Sequence, residues 1–187
     1  MDVAPVTYVV VPGLGGSGPD HWQTRFAAGR SDVCRVEQTD WDRPRRRPWV
    51  KALAETIAGC DGKVVLIAHS LGVMTIVHWA AEARDTSRVA GALLVAPPDV
   101  EAGRGGVPPH WVMWLSGWAP IPMRRLPFRA SVVSSADDPT CSTTRARAFA
   151  SAWGASFLDL GLAGHVNPAS GYGPWRGLER LLATTVD

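Results

Sequence analysis

From Val6 to Val11 the chain is almost wholly apolar and β-branched, and Pro12-Gly13 ends the run. An unbroken apolar run of this length, closed by turn residues, reads as a strand buried on both faces. Five more runs share that character: Val33–Glu37, Lys63–Ala68, Val89–Ala96, Ala130–Ser134 and Ser156–Leu160. Between and after them the apolar positions recur at helical spacing, which predicts helices over Asp20–Gly29, Pro48–Ala58, Leu71–Ala83, Thr143–Trp153 and Pro174–Ala183. Pro48 suits a helix start, and Gly59 and Gly154 suit helix ends. Strands that alternate with helices require crossover connections, so the expected architecture is α/β, with about six parallel strands flanked by helices.

One segment breaks the alternation. Asp99–Pro127 is rich in Pro and Gly and carries Trp111, Trp114 and Trp118. It is too irregular for core structure and too hydrophobic for a solvated loop, which predicts a short lid over the end of the sheet. Spacings of three and four would place the three tryptophans on one helical face, either as lid core or as a wall for substrate. No internal repeat or linker interrupts the 187 residues, so 1–187 is expected to be one domain.

Composition adds little beyond exclusions. Hydrophobic residues make up 46% and charged residues 19%, the balance of a soluble globular protein, and the net charge is +2. Nothing there points to nucleic acid or a membrane, no run reaches the length of a membrane span, and the N-terminal residues lack the basic and apolar regions of a signal peptide. Cys34, Cys60 and Cys141 have no metal-ligand spacing and read as reduced thiols of a cytoplasmic protein.

The chemistry concentrates at three places. In Ala68-His69-Ser70-Leu71-Gly72 a buried strand runs directly into Ser70 and a helix follows at once. Such a turn lifts a serine hydroxyl above the sheet and leaves the Leu71 N–H free to stabilise an oxyanion. Gly72 allows the tight approach of strand and helix. An activated serine needs a base, and the base needs a carboxylate to orient it. His165 lies in a glycine-rich loop just past the last strand. Asp137 and Asp138 follow the strand before it, ahead of Pro139. Asp138 is the preferred acid, Asp137 the alternative, and Asp99 a third candidate that reads better as a turn residue.

The loop Pro12–Gly18 follows the first strand and offers a second oxyanion donor, the Leu14 N–H. Gly13, Gly15 and Gly18 also match the G-x-G-x-x-G dinucleotide fingerprint, with Glu37 near the position of its acid. That reading fails because Pro19-Asp20 postpones the helix, whereas a dinucleotide site needs the helix to open within the glycines. It would also reduce the order Ser70, Asp138, His165 to coincidence, and Pro12 suits a rigid loop better than a phosphate cradle. Gly13, His21, Trp22 and His69 are expected to line the substrate pocket with the three lid tryptophans. His21-Trp22 reads equally well as a helix cap with a core aromatic. The basic run Arg43–Arg47 could bind phosphate or be a solvated loop.

Four segments together resemble the retinoblastoma-binding protein 9 family of small serine hydrolases, in its bacterial branch: Val11–Ser17 with His21-Trp22-Gln23, the Ala68–Gly72 turn, Ser134–Pro139, and Asp159–Asn167 running on to Trp175. The sequence departs from the family pattern at Ala68, usually Gly, and at Ala136, an extra residue before the aspartates. The resemblance implies an α/β-hydrolase fold and a Ser70–Asp138–His165 triad, with the acid on the Asp before Pro. It names no substrate; the residues themselves predict hydrolysis of a small acyl ester, or a related amide or thioester, through an acyl-enzyme, with neither metal nor organic cofactor. The alternatives are an acyltransferase, thioesterase or lyase on the same residues, or a non-catalytic binding module. The expected partner is a small acyl substrate, and the expected state a monomer or small homo-oligomer.

Overall fold

The computed structural model describes residues 6–102 and 113–186. Six strands, β1 (Val6–Val11), β2 (Val33–Arg35), β3 (Lys63–His69), β4 (Val89–Val95), β5 (Arg129–Ser134) and β6 (Ser156–Asp159), pair in parallel in the order β2-β1-β3-β4-β5-β6. The helices are α1 (Trp22–Ala27), α2 (Arg46–Gly59), α3 (Leu71–Glu82), α4 (Thr143–Trp153) and α5 (Leu178–Val186). None of them is long and apolar enough to cross a membrane.

Period-two alternation divides the core between the two faces of the sheet. Val9, Val11, Val64, Leu66, Ala68, Ala92, Leu94 and Val132 face one way, under Leu53 and Ile57 of α2, Met74 of α3 and Phe149 of α4. Val65, Ile67, Leu93, Val95 and Val133 face the other, under Trp22 of α1 and Leu178 and Leu182 of α5. This placement follows from the strand order. The chain steps outward from β1 to β2, then reverses past β1 to β3. With right-handed crossovers, the reversal puts α1 and α2 on opposite faces. The carboxyl ends of β1 and β3 therefore part at a switch in chain direction, where α/β sheets open a crevice.

Most predicted boundaries hold within two residues. α1 is shorter than expected because His21 caps it, its side chain accepting from the Gln23 N–H. α2 starts two residues early, so Pro48 stands third, where the first turn still needs no N–H. α5 starts at Leu178 rather than Pro174, after a 3-10 turn at Pro168–Ser170.

The helix predicted for the lid tryptophans is a correction. Trp111 lies outside the described residues. Residues 113–115 form one helical turn that tightens into a 3-10 turn at Ser116–Trp118, so Trp114 and Trp118 do not share an α-helical face. Trp118 is fully buried in the core, edge-on to Trp49, and its Nε1–H donates to Pro44 O at 3.0 Å. It is a core residue rather than a substrate wall.

Candidate active site

β3 delivers His69 and Ser70 to the crevice. Ser70 has φ 54° and ψ −126°, a region costing of order 1–3 kcal/mol for a residue with a side chain. The surroundings hold it there. Its N–H donates to Val95 O at 2.9 Å, and its carbonyl accepts from the Val73 N–H at 2.8 Å, opening α3. Gly72 permits the turn, because a Cβ there would overlap the Val11 carbonyl and come within 2.9 Å of Pro12 O. Gly13 is needed too: its Cβ would stand 2.8 Å from Ser70 Cβ and 2.9 Å from His69 O. As the first residue of α3, Leu71 has no helical acceptor for its N–H, and it lines the cavity beside Ser70.

His165 Nε2 lies 2.9 Å from Ser70 Oγ, and its Nδ1 lies 3.0 and 2.9 Å from the two Asp138 carboxylate oxygens. The Asp138 side chain is 2% exposed and that of His165 17%. Asp138 is fixed in turn by Thr140, whose N–H and Oγ–H both donate to Oδ1 at 2.8 Å. Of the three candidate acids, Asp138 alone reaches the imidazole. Asp137 serves the backbone: Ser135 Oγ–H and the Gly164 N–H donate to its Oδ1 at 2.6 and 2.7 Å, which holds its carboxyl below the usual range. Asp99 pairs with Arg145 at 3.2 Å.

The loop bearing His165 is pinned from several sides. Ala163 N–H donates to Ser135 Oγ, Trp22 Nε1–H to Val166 O at 2.9 Å, and His69 Nε2–H to His165 O at 2.8 Å. Trp22 is thus a correction to the expected pocket lining. It is 1% exposed, packs against Trp175, and holds the histidine loop from below. His69 and His21 do reach the cavity wall, with Gly13, Leu14 and Leu71. Burial disfavours the charged form of both histidines, and the nearby His165 adds to it, so His69 falls well below its ordinary value and His21 to about 4. His21 Nδ1 accepts from Gln23 N–H, so the proton of the neutral ring sits on Nε2, which is buried with no partner among the described residues.

Two residues carry roles that the sequence reading missed. Thr140 orients the acid. Gln23, fully buried, donates from Nε2 to Val11 O at 3.2 Å and Ile67 O at 2.9 Å, tying β1 to β3 where they part, and accepts from Ser17 Oγ at 2.6 Å. A polar residue directly after His21-Trp22 in an otherwise apolar helix face was the available signal for Gln23. For Thr140 the signal was local as well, because two residues after Asp138 its N–H and hydroxyl are placed to close a turn on that carboxylate.

The cavity over Ser70 has a volume of about 550 Å³, in the range of small-molecule sites. Leu14, Leu71, Pro98, Leu115, Pro139 and Pro168 supply its apolar wall. The lid contributes Leu115 to that wall. Trp114 stands outside it, with the Arg45 guanidinium 5.9 Å over its ring.

The description of a serine hydrolase family matches residues 8–184. Among solved structures, a YdeN-like hydrolase from Pectobacterium atrosepticum is 31% identical, with a TM-score of 0.80 over 96% of this chain and 90% of that one. The ydeN gene product of Bacillus subtilis is 18% identical, TM-score 0.75, over 96% and 97% of the two chains. The RedJ thioesterase of the prodiginine pathway in Streptomyces coelicolor is 18% identical, TM-score 0.61, over 97% and 89%. The last two likenesses speak to the α/β-hydrolase fold alone. No curated protein matches.

Proposed function

The chain belongs to the serine hydrolase family, and within it we propose an esterase of small acyl substrates that works through a covalent acyl-serine. The observation that carries this reading is the continuous relay Ser70 Oγ–His165 Nε2, His165 Nδ1–Asp138, with both contacts at about 2.9 Å. Ser70 Oγ attacks the acyl carbon while His165 Nε2 takes its proton. Asp138 keeps the other proton on Nδ1 and stabilises the imidazolium. The developing oxyanion meets the Leu71 N–H at the head of α3 and the Leu14 N–H of the first loop. His165 returns its proton to the leaving group, water then attacks the acyl carbon, and the serine is regenerated.

Buried and held neutral, His21 and His69 can stand near His165 without opposing its transient charge. This reading keeps the protein close to the bacterial branch of the retinoblastoma-binding protein 9 family and in the cytoplasm. The test is covalent labelling by a fluorophosphonate. One equivalent should add at Ser70, and neither labelling nor turnover of nitrophenyl esters should survive Ser70→Ala. An adduct on another serine, or none on folded protein, defeats the proposal.

A further inference from the structure

The arginine run has no part in the chemistry above. Residues 43–48 read Arg-Pro-Arg-Arg-Arg-Pro, with no acid. Arg46 turns inward, its Nη1 3.5 Å from His78 Nδ1. Arg43, Arg45 and Arg47 are exposed, and among the described residues none has a carboxylate within ion-pair distance. Asp40 precedes them, but its Oδ1 accepts from the backbone N–H groups of Asp42 and Arg43.

Their placement is locally unfavourable. They surround the first turn of α2, which holds no acid and has no side-chain cap. Cations there oppose the helix dipole and repel one another. Sites where such local rules are broken without a compensating acid are where function is expected.

Two ties place this run on the rim of the cavity. On one side, Trp118 Nε1–H donates to Pro44 O, and Arg45 lies over Trp114, while Leu115 between these tryptophans enters the cavity wall. On the other side, the loop leading to the run is bound to the first glycine loop. Gly15 N–H donates to Trp41 O at 3.0 Å, and a Cβ on Gly16, which lines the cavity, would stand 3.3 Å from the Trp41 ring. A substrate extending from Ser70 between Gly16 and Leu115 would leave the cavity beside the exposed arginines.

We propose that the substrate carries phosphate on its leaving group, held by Arg43, Arg45 and Arg47 while its acyl end lies at Ser70. The assignment rests on the hydrolase reading for the orientation of the acyl end. The reaction is unchanged: the acyl carbon bonds to Ser70 Oγ, its bond to the leaving group breaks, and His165 protonates the departing phosphate-bearing group.

The test measures binding rather than turnover, so it does not depend on catalysis. Three butyryl thioesters share one reacting end and differ in the arm: N-acetylcysteamine without phosphate, phosphopantetheine with one, and coenzyme A with three. Their affinities for the Ser70→Ala protein are read by tryptophan fluorescence at low and high ionic strength. The phosphopantetheine thioester should bind about tenfold more tightly than the N-acetylcysteamine thioester, a gain within reach of a few exposed ion pairs. The gain should vanish at high salt and in the triple variant Arg43→Gln, Arg45→Gln, Arg47→Gln, whose affinity for the neutral thioester should not change. A further gain for coenzyme A supports contacts to the nucleotide phosphates. Equal affinity for coenzyme A and phosphopantetheine supports a single phosphate, such as a carrier protein presents. Without ligand, the triple variant should melt at or above the native temperature, since it removes unfavourable charges. Equal affinities for all three thioesters, a phosphate advantage that survives the triple variant, or a large fall in its melting temperature overturns the proposal. Fluorophosphonate labelling of the native chain reports separately on the hydrolase reading.

Discussion

At the scale of single residues, adjacent identical side chains do unlike things. Asp138 is buried, faces His165 with both oxygens and is aligned by Thr140, whereas Asp137 is exposed and holds the Gly164 and Ser135 groups of the loop. Asp138→Asn should therefore lower nitrophenyl ester turnover by about 10⁴, because the amide stabilises the wrong imidazole tautomer. Asp137→Asn should cost much less, with the loss appearing as a lower melting temperature. Turnover and thermal melts of the two variants decide this. His21 gives a pH dependence. Its value falls from about 6.5 unfolded to about 4 folded. Above pH 6.5 the ring is neutral in both states and pH changes nothing. Below it the unfolded chain takes up a proton that the folded chain refuses, so stability falls with the pH until about 4, by up to about 3 kcal/mol. Denaturant melts between pH 7 and 4 should show this slope in the native protein, and His21→Phe should reduce it, leaving the part of the same sign that buried His69 and His78 contribute.

At the scale of elements, the site depends on how β1, β3 and the loop after β6 are tied together. Gln23 joins Val11 O and Ile67 O at the point where the two strands part. Replacing it with Leu leaves those carbonyls and Ser17 Oγ buried without their partner, at about 1–3 kcal/mol for each group left unmet. Gln23→Leu should lose at least about 2 kcal/mol in urea melts and misplace the first glycine loop. Ester turnover should then fall more than fluorophosphonate labelling at saturating probe. The sequence showed the strand that ends at Ser70, the glycine-rich loop around His165 and the aspartates before Pro139, because each is a local pattern. It did not show Gln23 in its role, since Val11 and Ile67 lie on strands elsewhere in the chain, nor that the local Asp138–Thr140 turn faces His165, which arrives from a separate loop.

At the scale of the whole molecule, the cavity wall takes Leu115 from the segment after β4, and neither Trp114 nor Trp118 lines it. Burying a methylene against such a wall is worth about 0.8 kcal/mol, or up to about fourfold in affinity. A cavity of about 550 Å³ fills early, so short to medium acyl esters should be the best substrates. Leu115→Ala should shift the optimum of a nitrophenyl ester series to longer chains. Trp114→Ala, outside the cavity, should leave the profile in place. An unchanged profile in Leu115→Ala, or long-chain lipid as the best substrate, refutes this picture of the cavity.

The amino-acid sequence by itself determined what depends on near neighbours in the chain. Apolar runs set the strands, helical spacing set most of the helices, and the strand–serine–helix turn marked Ser70. The order of Ser70, Asp138 and His165 pointed to their partnership, and a parallel α/β sheet followed from the alternation. The tertiary structure decided what depends on distant segments meeting. It selected Asp138 over Asp137 by distance, sent Trp22 and Trp118 into the core, and put Leu115 in the cavity. The reason is common to all of them. A tryptophan in a helical stripe is equally suited to core or cavity, and either of two neighbouring aspartates suits a local turn. Only packing against residues tens of positions away gives each side chain its surroundings.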